Sequence, residues 1–243
     1  MRIPVLRGVI DRRILANYRV APEAVAKMLP DPLEPKCVGD WAMAGICLIR
    51  LKSLRPKALP MTWGMRSENA AHRFAVTWRE DGVRREGVYV RRRDTDSRLN
   101  ALAGGRLFPG VQHHAHFDVA ERDDAVDVAM KSDDGAVRLR VTGRMTQAWP
   151  SDSLFATVEE ASRFFEQGSL GFSPGRGQRL DAMELCCHNW DVTPLEVQRA
   201  ESSFFDDGDT FPQGSVYFDH ALLMRGIKHE WHTRQALCCT IDG

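Results

Sequence analysis

The stretch "HRFAVTWREDGVRREGVYVRRR", residues 72–93, decides the fold. Its two ends, 72–80 and 85–93, alternate apolar and polar side chains at period two, the spacing of a strand with one buried face. Between them stands Asp81-Gly82. That pair suits a tight hairpin turn, which needs backbone conformations few other residues accept. The stretch therefore predicts an antiparallel hairpin.

Working outward, the same grammar recurs. "WAMAGICLIRL" at 41–51 is a continuous apolar run and predicts a strand buried on both faces; "GVIDRRILANYRV" at 8–20 mixes β-branched residues with arginines. Downstream, 112–120, 125–132 and 136–145 are strand-like, with "ERDD" and "DDG" between them, the pattern of a meander. Later strands are expected at 182–190, 197–205, 215–225 and 227–233. Three short helices are predicted: 22–29, with proline in its first turn; 94–103, ending in glycines; and 157–167, opened by a capping box from Thr157 to Glu160. Many hairpin-linked strands and few helices predict an α+β fold, mostly antiparallel, with the sheet closed or nearly so to remove its edges.

Charge narrows the function. Among 243 residues, 33 basic side chains balance 33 acidic ones. A basic field for nucleic acid is absent, and "YVRRRDTDSR" (89–98) mixes arginines with acids and lacks a stacking array of aromatics. No run of about 18 apolar residues predicts a membrane helix. The N-terminal "MRIPVLRGVIDRR" lacks a leader's apolar core, so the cytoplasm is the expected location. Only six basic residues are lysines: 27, 36, 52, 57, 131 and 228. The six cysteines, 37, 47, 186, 187, 238 and 239, have neither zinc-knuckle nor redox spacing and are expected to be reduced and partly buried. Nucleophile-elbow, phosphate-loop, dinucleotide and H-E-x-x-H motifs are all missing.

Two stretches carry candidate chemistry. In "ALAGGRLFPGVQHHAHF" (101–117), a helix ends in two glycines, Arg106 follows, and Pro109-Gly110 signals a turn. Arg106 at a pocket mouth could offer its planar fork to a carboxylate or enolate; the competing reading is a surface arginine fixing a loop. His114 and His116 share one strand face and His113 the other. Two imidazoles at that spacing could begin a metal site, with His229 and His232 in "KHEWH" as further candidates, or could simply face solvent. In "GMRSENAAHRF" (64–74), Glu68 and Asn69 fall in a polar turn before a strand that starts near His72. A glutamate the fold later buries could serve as acid or base.

The order of these motifs resembles the DUF2071 family and, through it, the acetoacetate decarboxylase-like superfamily. The carrying residues are "LANYRVAPEAVAKMLPDPLEP" (15–35), "SEN" (67–69), "GVYVRRRDTDSRL" (87–99) and "GGRLFPGVQHHA" (104–115). The resemblance implies one domain over 1–243, a mostly antiparallel β-barrel or cone of sheets with a helical insertion around 150–178, enclosing an apolar pocket. In the superfamily's decarboxylases a lysine after the G-R…P turn forms a Schiff base with a keto acid, and a second lysine activates it. Carried over, Glu68 and Arg106 match the pocket's polar lining. The lysine positions fall near Gly110 and Val111, or at Gln112–His114, where no lysine stands. The expectation is thus a pocket for a small organic acid or carbonyl compound without Schiff-base chemistry and without cofactor or resident metal. Glu68, Arg106 and His114 are the expected acid–base and oxyanion groups, with Arg66, Asn69, Arg93, His113 and His116 around the ligand. Alternatives are a metal-dependent enzyme on the histidine cluster and a non-catalytic binding or self-associating protein.

Overall fold

The computed structural model describes residues 4–60, 64–103, 110–175 and 179–238. In chain order the first elements are β1 (Leu6–Val20), α1 (Pro22–Ala26), β2 (Glu34–Pro35), β3 (Cys37–Val38), β4 (Trp41–Pro56), β5 (Met65–Glu80) and β6 (Val83–Thr95). Then come α2 (Arg98–Ala103), β7 (Gln112–Arg122), β8 (Ala125–Ser132), β9 (Arg138–Met145) and α3 (Val158–Gln167). The last strands are β10 (Leu170–Pro174), β11 (Arg179–Cys187), β12 (Thr193–Ser202) and β13 (Val216–Cys238).

The hairpin that opened the sequence reading is β5–β6. Asp81 (φ 51°) and Gly82 (φ 77°) both take the left-handed conformation its turn requires. Three expectations need correction. Strand β5 starts at Met65, so Glu68 and Asn69 lie in a strand rather than a turn: Glu68 pairs with Arg50 and Asn69 with Ile49 across β4. The two late strands are one, β13, which runs past Gly226. Residues 94 and 95 end β6 instead of starting a helix.

All thirteen strands form one sheet that closes on itself. One circuit runs β6-β7-β8-β9-β12-β13-β1-β4-β5 and back to β6. A second leaves β13 through β11 and β10 and returns at β6. The circuits share the wall β13-β1-β4-β5-β6. They part because β6 pairs with β10 at Val88 and Tyr89 but with β7 at Arg93–Thr95, while β13 pairs with β12 at 221–223 and with β11 from His229 onward.

Strand alternation sends successive wall residues into different circuits. Ile14, Ala16, Ile46, Leu48, Phe74 and Val76 pack against Val126, Val128, Val141 and Leu195 and fill the first. Leu15, Met43, Cys47 and Ala75 face Phe155, Phe165 and Leu222 in the second. Helix α3 covers this second face with Ala161 and Phe165; its Thr157 hydroxyl accepts the Glu160 amide at 3.3 Å, as the capping box predicts. Among the described residues, no helix is long and apolar enough to cross a membrane.

Candidate functional site

On the second face the wall carries small side chains where the packed face carries large ones. Three rows cross β1, β4, β5 and β6 in register: Arg13, Ile49, Asn69, Thr95; then Leu15, Cys47, Ala71, Arg93; then Asn17, Gly45, Arg73, Val90. Cys47, Ala71 and Gly45 leave a hollow floor. Gly45 is required there, since a Cβ would stand 2.6 Å from the Ala16 carbonyl. Above the floor lies a cavity of about 290 Å³, lined on its other sides by Phe165, Trp190 and Trp231 among others. Neighbouring strands sit about 4.8 Å apart, so side chains on adjacent rows converge on one small volume.

Three arginines enter that volume: Arg13, Arg73 and Arg93. A bulge brings in the third. Between β5 and β6, His72 pairs with Arg92 and Arg73 with Val90, so Arg91 is extra. The added residue reverses the alternation, and Val88, Val90 and Arg93 all face the cavity.

None of the three is ion-paired with a carboxylate among the described residues. Arg73, 4% exposed, donates to Asn17 Oδ1 at 2.6 Å and stacks on Phe165, while its Nε has no partner. Arg13 donates from Nε to Cys47 Sγ at 3.4 Å and lies over the Trp190 ring; its Nη1 is unpartnered. Arg93 donates from Nε and Nη2 to the Ser173 hydroxyl at 3.1 and 3.0 Å. Burial pulls Arg73 and Arg93 down to about 10, so both remain cations at neutral pH.

A buried relay backs Arg73. Asn17 Nδ2 faces His220 Nε2 at 3.0 Å, and His220 Nδ1 faces Asp219 Oδ1 at 2.5 Å. The roles close consistently if Nδ1 carries the proton: it donates to Asp219, and Nε2 accepts from Asn17. Burial pushes His220 below its ordinary range. Burial alone would raise Asp219, but His220, Ser153 and the Leu154 amide outweigh it and hold the carboxylate low. Two acids line the cavity: Glu166, from α3, and Asp94, held above the ordinary carboxylate range by burial despite Arg92 beside it.

The residues expected from sequence separate. Asn69 and Arg93 line the cavity. Glu68 faces the other circuit, where it accepts from Arg12 Nη2 at 2.6 Å and pairs with Arg50. Arg66 is exposed. His113 lies against Asp134 at 3.2 Å, and His114 and His116 against Asp133 at 2.7 and 3.2 Å, none of them lining the cavity. Ligand atoms of His114, His116 and Asp133 all lie within 4.8 Å of one another, a spacing open to a metal ion. Arg106 and the Pro109 turn lie outside the described residues.

Sequence reasoning missed Arg13, Arg73, Asp94 and Cys47. A signal was present for two of them. In "DRRILAN" adjacent arginines fall on both faces of a largely apolar strand, and in "HRF" a single arginine opens an apolar run, so each strand has a face that buries a cation. Among the described residues no lysine lines this cavity. Lys36 lines an adjoining one of about 30 Å³, with Arg13 and Arg73, where it pairs with Glu86 at 2.7 Å and sits over Phe164.

The fold has counterparts. The DUF2071 family, described as an uncharacterized conserved protein, matches residues 10–221. An acetoacetate decarboxylase-like enzyme from Sphingomonas wittichii RW1 superposes with a TM-score of 0.64 at 13% identity, over 99% of this chain and 95% of that one. The enduracididine biosynthesis enzyme MppR complexed with pyruvate gives 0.59 at 15% identity, over 99% and 91%. Acetoacetate decarboxylase from Legionella pneumophila gives 0.56 at 13%, over 97% and 87%. No curated protein matches the chain.

Proposed function

The chain belongs to the DUF2071 family, its fold is acetoacetate decarboxylase-like, and we propose that its larger cavity binds a small carboxylate, in the first place an oxo acid. One observation carries the reading: three guanidinium groups meet in one cavity, and none of them is ion-paired with a carboxylate among the described residues. Burying a cation without a partner is costly, and an anionic ligand removes that cost. Charge-assisted hydrogen bonds from the Arg73 and Arg13 guanidinium groups are then the contacts that hold the ligand. The volume, near the lower end of ligand pockets, suits a compact acid.

In this reading Arg13 and Arg73 hold the carboxylate, and Arg93 faces the carbonyl or enolate oxygen. Asn69 orients the ligand. Asp94, whose carboxyl burial raises above its ordinary range, is placed to move a proton, the role the sequence suggested for Glu68. Arg106 remains a candidate for the same ligand. Among the described residues no lysine lines the larger cavity, which supports a reading without Schiff-base chemistry.

Calorimetry with pyruvate, acetoacetate and, as a control, ethylamine tests this. The acids are expected to bind and the amine not. Arg73→Met removes charge-assisted bonds and is expected to weaken the acids about 10- to 100-fold. If neither acid binds the wild type, the reading fails.

A second reading rests on His114, His116 and Asp133. Zinc titration of protein prepared without an affinity tag tests it, and His116→Ala should abolish any stoichiometric uptake. A zinc isotherm unchanged in that variant removes the reading.

A further inference from the structure

We propose that Cys47 is a nucleophile of the cavity, a thiol that adds to the carbonyl carbon of the bound acid; this rests on the oxo-acid reading above. Cys47 occupies the centre of the floor. In its row it has Leu15 on one side and Ala71, then Arg93, on the other. Arg13 and Arg73 stand one row away in opposite directions on the flanking strands. The attacking form of cysteine is negatively charged. Here the sulfur receives a donor from Arg13 at 3.4 Å and has Arg73 and Arg93 as charge neighbours.

The ligand side of the argument is independent of the sulfur. Arg73 is nearly fully buried, lines the cavity, and has an unfilled Nε donor. A carboxylate held by Arg73 and Arg13, whose rows flank that of Cys47, brings its 2-carbon over the Cys47 row. The second thiol of the cavity, Cys187, is the weaker candidate, because burial pushes it up and away from its charged form.

The step balances without a further reactant. The sulfur–carbon bond forms, the π bond of the carbonyl breaks, and its electron pair moves to oxygen. The proton lost by the thiol ends on that oxygen, giving a hemithioketal. Guanidinium donors stabilise the oxygen as charge develops, in the manner of an oxyanion hole. Unlike an iminium, the adduct keeps the oxygen and provides no electron sink, so it favours addition and isomerisation over loss of carbon dioxide.

The test uses [2-13C]pyruvate and carbon NMR. The wild type is expected to convert part of the carbonyl resonance into one of a saturated carbon bearing sulfur and oxygen. Cys47→Ser and Cys47→Ala should both lose it. Iodoacetate should also label Cys47 about tenfold faster than the exposed Cys37, an advantage that iodoacetamide lacks and Arg73→Met removes. No adduct in the wild type, or an adduct that survives in both variants, overturns the proposal. Calorimetry with lactate, which has no carbonyl to attack, then separates the two failures. Lactate binding leaves the anion site standing without its nucleophile. Absence of lactate and pyruvate binding removes both.

Discussion

Arg12 and Arg13 are adjacent in the chain and stand in opposite electrostatic surroundings. Arg12 points into the packed circuit, is fully buried, and is met by Glu68 at 2.6 Å and Glu121 at 2.5 Å. Arg50 and Arg225 complete that network, and the arginines hold Glu121 low although burial alone would raise it. Arg13 points into the hollow circuit and meets a sulfur, an indole and an unfilled donor direction. The wall is one set of strands with one alternation. What differs is whether carboxylates reach the arginine on that face: Arg12 meets Glu68 from the wall's own β5 and Glu121 from β7 across the circuit, and Arg13 has no ion pair among the described residues. A neutralised buried arginine belongs to the fold. An unneutralised one is held there by the rest of the protein, and its free energy is available to a ligand.

The comparison breaks most easily at Arg12. Arg12→Leu removes the fully buried one of the two cations, Arg12 and Arg50, that Glu68 and Glu121 share, and breaking a buried pair from one side costs about 3–5 kcal/mol. Urea unfolding should show a loss of that size with an unchanged slope. A loss below about 1 kcal/mol would mean the network is structurally idle, and the contrast with Arg13 would collapse.

Acid sharpens it next. The packed circuit buries His72 against Ser202 and Phe204, and burial lowers it to about 3. The unfolded chain takes up this proton near 6.5. Stability from His72 is therefore complete above about pH 6.5 and falls as the pH drops from there toward 3. Between pH 7 and pH 5 the single site should remove about 2 kcal/mol. Urea curves at the two pH values, for wild type and His72→Asn, isolate this contribution from that of the carboxylates. Equal pH dependence in both proteins would show that His72 is not held neutral.

The two circuits also explain which features were legible in the sequence. Periodicity exposed the strands because each buries at least one face, and Asp81-Gly82 marked the central hairpin because its turn needs positive φ twice. The strand over 65–71 was hidden by its polar residues. Glu68 is tolerated in a strand only because Arg12 and Arg50 arrive from β1 and β4, and no local pattern reports a partner from 18 or 56 residues away. The cavity was invisible for a related reason. A hollow is made by what is small, here Gly45, Cys47 and Ala71, and small residues give no periodic signal of their own. Arg93 reached the cavity through a bulge, which one sequence does not announce. Asn69, one residue beyond Glu68, reached it by alternation alone.

The smallest expected effect on stability is also the one of opposite sign. Burial moves Arg73 from its ordinary range to about 10, which corresponds to about 3 kcal/mol spent on keeping the group charged in the fold. Arg73→Met lifts that cost and keeps apolar contact with Phe165, but it leaves Asn17 Oδ1 without its donor, a loss of about 1 kcal/mol or more. The net expectation is a variant about 1–2 kcal/mol more stable than wild type in the absence of ligand. Pyruvate should reverse the order. At 100 times the wild type's Kd pyruvate adds about 2.7 kcal/mol to the wild type and about 0.4 kcal/mol to a variant that binds it about 100-fold more weakly, a relative gain of about 2.3 kcal/mol for the wild type. Paired unfolding curves with and without pyruvate therefore make a crossing test. Arg73→Met should win alone and lose in the presence of the acid. If it is less stable under both conditions, Arg73 is a structural arginine like Arg12, and the two faces of the wall are not as different as their charges make them.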